Sequence, residues 1–174
     1  MRRFLQNAGL LILFCLLQTL VFERIQLGPF LSPCVYLLFI LLFPFGYNTL
    51  LLLLWSFAMG VSVDLFSTGV IGVHASAATF LALLRSGILK IVTTKGDVEQ
   101  LSIPSPRTLS TPWYIVYVAT SLLIHHTVLF GLEMFRFSYF ALTLLRIGFS
   151  TILNTLLITL IHATFFNQRR ISDS

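Results

Sequence analysis

The sequence predicts an all-α, polytopic membrane protein with about six transmembrane helices in one bundle. Three observations carry that expectation. Of 174 residues, 57% are apolar and only 10% are charged, whereas a soluble domain carries about a quarter charged residues. Mean hydropathy is +0.94. The apolar residues also fall into runs near the roughly 20 residues that a helix needs to cross hydrocarbon. Residues 1–174 therefore read as a single integral-membrane domain with a polar loop at about 93–112 and a tail at about 167–174. That leaves no room for a conventional catalytic or nucleotide-binding domain outside the bilayer.

Gly, Pro and charged residues divide the chain into its elements. Span one covers 4–22. Met1-Arg2-Arg3 before it looks like the start of a secretory signal, but the apolar run is too long, and Leu20-Val21-Phe22 offers no small-residue cleavage site. It reads as an uncleaved span, ended by Glu23-Arg24 and Gly28-Pro29. Span two covers 30–43, with Pro33 in its first turn, where a missing amide hydrogen costs little. It stops at Pro44-Phe45-Gly46, and span three follows at 48–63. Both are short for a perpendicular crossing. A re-entrant hairpin would need irregular backbone shielded by protein; two spans joined by a tight turn are the preferred reading.

Span four covers 72–91, reached through Ser67-Thr68-Gly69. In the polar loop, Pro104, Pro106 and Pro112 prevent a continuous helix. Span five, 113–131, opens on the interfacial aromatics Trp113 and Tyr114, and span six covers 139–166. With six spans, one side of the membrane receives Arg2, Arg3, Lys90, Lys95, Arg107, Arg169 and Arg170, and Arg85 snorkels toward it. The other side holds Arg24 and Arg136. Lys and Arg bias marks the cytoplasmic side, so both termini are expected there. The net charge of +5 is then an orientation signal suited to anionic lipid headgroups, and no nucleic acid is expected as a partner.

The densest group of unusual residues is 60–75. Gly60, Gly69 and Gly72 suit close backbone approach or a tight turn. Asp64 closes span three and His74 opens span four. An acid at the membrane is costly; here it is expected to bond the turn amides of 67–69 or pair with His74, with a partner contact or a ligand site as the alternatives. On span six, Thr143, Arg146, Ser150 and Asn154 fall within one narrow arc at about 100° per residue. Arg146 must face the bundle, a cavity or another subunit, with Asp64 or Glu133 as its counter-charge. Asp64 and Arg146 are the costly charges of the chain on this reading.

Chemistry finds little to build with. Adjacent residues on a helix point about 100° apart, so His125-His126 makes a poor metal clamp, and the HExxH spacing is missing. Packing or hydrogen bonding is expected for both and for His162. Cys15 and Cys34 lie in apolar runs without metal spacing, and no disulfide is expected. There is no GxSxG elbow, Walker A loop or GxGxxG. No enzymatic activity, cofactor or metal is expected.

Gly60, Asp64, Gly69, Gly72, His74 and Ala75 form a glycine-containing helix end, an acid, a short turn and a Gly-x-His-Ala helix start. In this the chain resembles the rod shape-determining MreD family, which it also matches in length and hydropathy. The resemblance implies a non-enzymatic scaffold of the bacterial elongation machinery in the inner membrane. MreC is the implied direct partner, with MreB and the RodA–transpeptidase pair reached indirectly, and a homo-oligomer is left open. It also implies a bundle similar to the S-components of energy-coupling-factor vitamin transporters. The alternative function is accordingly a small-molecule-binding transporter subunit, with Asp64, His74, Arg146 or Asn154 lining a pocket. The scaffold reading makes Gly60, Asp64, Gly69, Gly72, His74, Arg146, Ser150 and Asn154 structural or partner-contact residues.

Overall fold

The computed structural model describes residues 2–25, 28, 30–66, 70–93, 103–106, 110–134 and 140–165. Gly69, the charged residues of the 93–112 loop and the 167–174 tail lie outside them. Helix α1 spans Arg2–Leu20 and runs into a 3-10 turn at Phe22–Arg24; α2 is Leu37–Leu41, α3 Thr49–Phe66, α4 Val73–Val92, α5 Thr111–Glu133 and α6 Phe140–Phe165. No strand occurs among the described residues. Among the described residues, five segments are long and apolar enough to cross a membrane: α1 with its turn, α3, α4, α5 and α6. This is a multi-pass helical membrane bundle.

Helix ends follow local chemistry. Ser110 caps α5, its Oγ accepting from the Trp113 amide at 3.3 Å, and Pro112 sits in the first turn, where its missing N–H is no loss. Successive long helices pack on one another, α3 on α4, α4 on α5 and α5 on α6, and α1 packs on α3. Outward faces carry Leu, Ile and Phe. On α6, Leu145, Phe149, Ile152, Leu156 and Leu160 are all at least half exposed, as lipid-facing side chains should be.

Span two differs from its expectation. Residues 30–36 contain no helix, and α2 has only five residues. Pro33 is therefore not in a helical first turn. The reason is local: Pro33 removes a backbone donor and pushes Ser32 out of the α region, and Pro44 does the same to Phe43. That leaves about ten residues for a helix, too few to sustain itself. The segment is also apolar all round, so it belongs inside a bundle rather than on its surface. Residues 34–41 are at most 3% exposed.

The inner segment, residues 30–43, nevertheless crosses the bundle. Phe30 and Ser32 meet Ser150 of α6, Cys34 meets Asn154 one turn further on, and Tyr36 meets His125 of α5. Leu41 meets Tyr117, which lies about 12 Å along α5 from His125 at 1.5 Å per residue. Tyr117 stacks on Trp113, whose indole bonds Thr93 at the end of α4. The chain thus passes from the end of the bundle that holds Glu133 to the end that holds Trp113. Tyr47 then bonds Asn7 near the start of α1. Counting this segment, the described residues pass through the bundle six times, and α1 begins where α6 ends. The hairpin that returns to its own side is not what forms.

Candidate functional site

The first polar centre joins α3 to α4. Asp64 has a fully buried side chain. Its Oδ2 accepts from the Gly72 and Ala75 amides at 2.9 and 3.0 Å, and its Oδ1 accepts from the His74 amide at 3.0 Å and lies 3.0 Å from His74 Nδ1. The first amides of a helix have no partner within it and favour negative charge. Asp64 supplies both across the hairpin, acting as a cap borrowed from the preceding helix. Gly72 turns the chain into α4 at φ 96°, where a side chain would be strained.

Gly60 makes the approach possible. A Cβ there would stand 2.4 Å from Ala75 Cα, 2.7 Å from Ala75 N and 2.8 Å from His74 O. All three are backbone atoms, so α3 and α4 touch main chain to main chain, bringing Asp64 within reach of the amides. The sequence expectation of a structural bond holds for His74. The amides bound in the described residues belong to Gly72, His74 and Ala75, while the expected 67–69 amides lie outside them. Arg146 is paired elsewhere, so Asp64 is not its counter-charge.

The second centre holds the inner segment in place. Non-helical backbone at membrane depth must find its hydrogen bonds from the surrounding protein. Gln18 of α1 accepts through Oε1 from the Val35 and Tyr36 amides, at 2.9 and 3.4 Å, and donates to Pro33 O at 2.8 Å. Asn154 of α6 accepts from the Cys34 amide at 2.6 Å and donates to Ser32 O at 2.8 Å. Ser150 donates to Phe30 O and accepts from the Ser32 amide. Arg146 pairs with Glu133 at 2.7 Å, donates to Ser32 Oγ at 3.2 Å and lies 4.1 Å above the Phe130 ring. Of the arc of Thr143, Arg146, Ser150 and Asn154 read from sequence, the last three thus meet the inner segment. Ser150 and Asn154 serve the unpaired backbone of the inner segment, while Arg146 meets Glu133 and Phe130 of α5 and the Ser32 hydroxyl.

A third centre closes the other end. Arg85 is 3% exposed and donates to Tyr117 Oη at 2.9 Å, to Leu41 O at 3.3 Å and to Phe43 O. It caps the end of α2, where carbonyls lack helical partners. This corrects the expectation that Arg85 snorkels to the interface and that Asp64 and Arg146 are the only costly charges. A signal was available: Arg85 lies three, four and seven residues after Ala82, Leu81 and Ala78, on the face they bury. Gln18, Tyr36 and Tyr117 also went unsingled, each a polar group within an apolar run.

The histidines behave as expected of packing residues. His125 Nε2 lies 2.8 Å from Tyr36 Oη, and His126 Nδ1 lies 3.1 Å from Thr151 Oγ1. His162 is buried beside the Tyr114 ring at 4.8 Å. Cys15 and Cys34 are free and buried. Among the described residues no group of three or more His, Cys, Asp or Glu could hold a metal. No family model matches the chain, nor does any curated protein or solved structure at the similarity required.

Proposed function

We propose that the chain is a non-enzymatic scaffold of the bacterial elongation machinery in the inner membrane. In this reading it binds MreC, supports MreB and the RodA–transpeptidase pair indirectly, and so sustains rod shape and lateral peptidoglycan synthesis. Both termini face the cytoplasm, as the Lys and Arg distribution requires. The observation that carries the reading is how the intramembrane polar groups are used. Asp64, Arg85, Ser150 and Asn154 are all spent on the chain's own backbone. The resemblance to MreD rests on 60–75, and the glycine contact and acid-capped helix start give those residue types a physical purpose.

A transporter subunit would need polar side chains converging on a space for a ligand. Here Gln18, Ser150 and Asn154 turn their polar atoms to the inner segment, which favours the scaffold. The deciding experiment is isolation from bacterial membranes in mild detergent, with depletion in the same strain. Co-purification of MreC and rounding of depleted cells are expected. A chain that purifies alone, from cells whose shape survives its depletion, overturns the proposal. A ligand retained in native mass spectrometry, with uptake that depends on an energising partner, would favour the transporter instead.

A further inference from the structure

Three buried polar atoms on α5, Tyr114 Oη, Ser121 Oγ and His125 Nδ1, take no part in the contacts above, and the last two stand on one face. Ser121 Oγ and His125 Nδ1 have no hydrogen-bond partner, and both residues are 0% exposed. They stand four residues apart, which places them on one face with Cβ atoms about 5–6 Å apart. Helical side chains lean toward the N-terminus of their helix, so the imidazole of His125 tilts over the turn that carries Ser121. Its other edge is fixed by Tyr36 Oη, 2.8 Å from Nε2. One turn below Ser121 on the same row is Tyr117, whose hydroxyl is engaged with Arg85 and Leu41 O. The row thus sets an unpartnered hydroxyl one turn from an unpartnered ring nitrogen, both buried.

We infer that His125 and Ser121 hold a buried water molecule within the membrane-spanning bundle. A buried polar atom without a partner is costly, and a bridging water relieves two at once. The ligand is neutral, because among the described residues Arg85 is already held by two carbonyls and a hydroxyl and Arg146 by Glu133. The bridge also sets the imidazole. Nδ1–H donates to the water, the water donates to Ser121 Oγ, and Nε2 is left to accept from the Tyr36 hydroxyl. Occupancy of the site is thus coupled to the seating of Tyr36, and through it to the inner segment. The inference is independent of the scaffold proposal, since it concerns the interior alone.

Ser121→Ala in the full chain, purified in detergent, separates a wet site from a dry one. In a dry site the variant removes an unpartnered hydroxyl and raises the melting temperature. In a wet one the water loses a partner and the melting temperature falls, by about 3 °C for a chain of this size. A fall is expected; an unchanged or raised value overturns the inference. Brief X-ray radiolysis of the unaltered chain gives a second readout that does not depend on the variant folding. Water held beside a side chain is split to hydroxyl radical where it sits. His125 should be oxidised well above the equally buried Phe39; labelling no greater than that of Phe39 overturns the inference.

Discussion

Asp64→Asn is the sharpest test of the hairpin. The carboxylate accepts from three backbone amides and pairs with the His74 ring, all at 2.9–3.0 Å. An asparagine keeps one acceptor oxygen and turns its NH2 toward the donors that the other oxygen served. In the most favourable orientation its carbonyl takes Gly72 and Ala75, and its NH2 donates to a His74 ring that has changed tautomer. The His74 amide is still left unpaired. A buried unpaired donor costs about 1–3 kcal/mol, and loss of negative charge at a helix start adds about 0.3–1 kcal/mol, up to about 2 when buried. With the weakening of the remaining charge-assisted bonds, the total is about 3–5 kcal/mol. Denaturant titration of the purified protein in micelles measures it. Ser76→Ala, which removes an exposed hydroxyl bonded back to Gly72 O, serves as the control and should cost less than about 0.5 kcal/mol. An asparagine variant within about 1 kcal/mol of the parent would refute the capping argument.

Further outcomes follow from the other centres. Gly60→Ala should cost about 3 kcal/mol or more, above the usual range for overpacking, because the new methyl meets Ala75 and His74 backbone that cannot rotate away; loss of monodisperse protein on size exclusion is the readout. Asn154→Leu keeps the branched outline but leaves the Cys34 amide and Ser32 carbonyl unpaired, at about 2–5 kcal/mol in all. Thiol labelling of Cys34 in the folded state should then accelerate. Arg85→Lys keeps the charge but loses the planar fork that spans Leu41 O, Phe43 O and Tyr117; denaturant titration should give a loss of about 1–3 kcal/mol.

Hydropathy made the long helices legible almost to the residue. The 72–91 and 113–131 spans became α4 at Val73–Val92 and α5 at Thr111–Glu133, because lipid imposes a length and an apolar surface that composition records directly. The polar arc on α6 was legible for the same reason, since 100° spacing does not depend on what the arc faces. The 30–43 segment was not. Apolar runs of that length look alike whether lipid or protein surrounds them, and only Pro33 and the all-round hydrophobicity separated them. Arg85 was misplaced by its distance from the helix end, seven residues before Val92, which is short enough to snorkel. Its rotational position, not its depth, decided the outcome.

The inner segment changes where a partner could be sensed. A helix satisfies its own backbone and asks a neighbour for little beyond packing, so Arg146, Ser150 and Asn154 at near-successive turns offer more hydrogen bonds than a helix contact requires. Such a row answers backbone that cannot pair with itself, and Ser32-Pro33-Cys34 supplies it. With Ser150 and Asn154 spent inward, the surface that α6 leaves for a membrane partner under the scaffold proposal is its apolar outer face, with the part-exposed Arg146–Glu133 pair at one end. Substitutions that weaken a partner while sparing stability should then fall at exposed positions such as Phe149, Ile152 or Leu156, and those that unfold the bundle at Asn154 or Asp64. A co-purification and stability screen over α6 reads both at once. Partner-specific loss at Asn154, with full stability retained, would contradict the assignment of that residue to the fold.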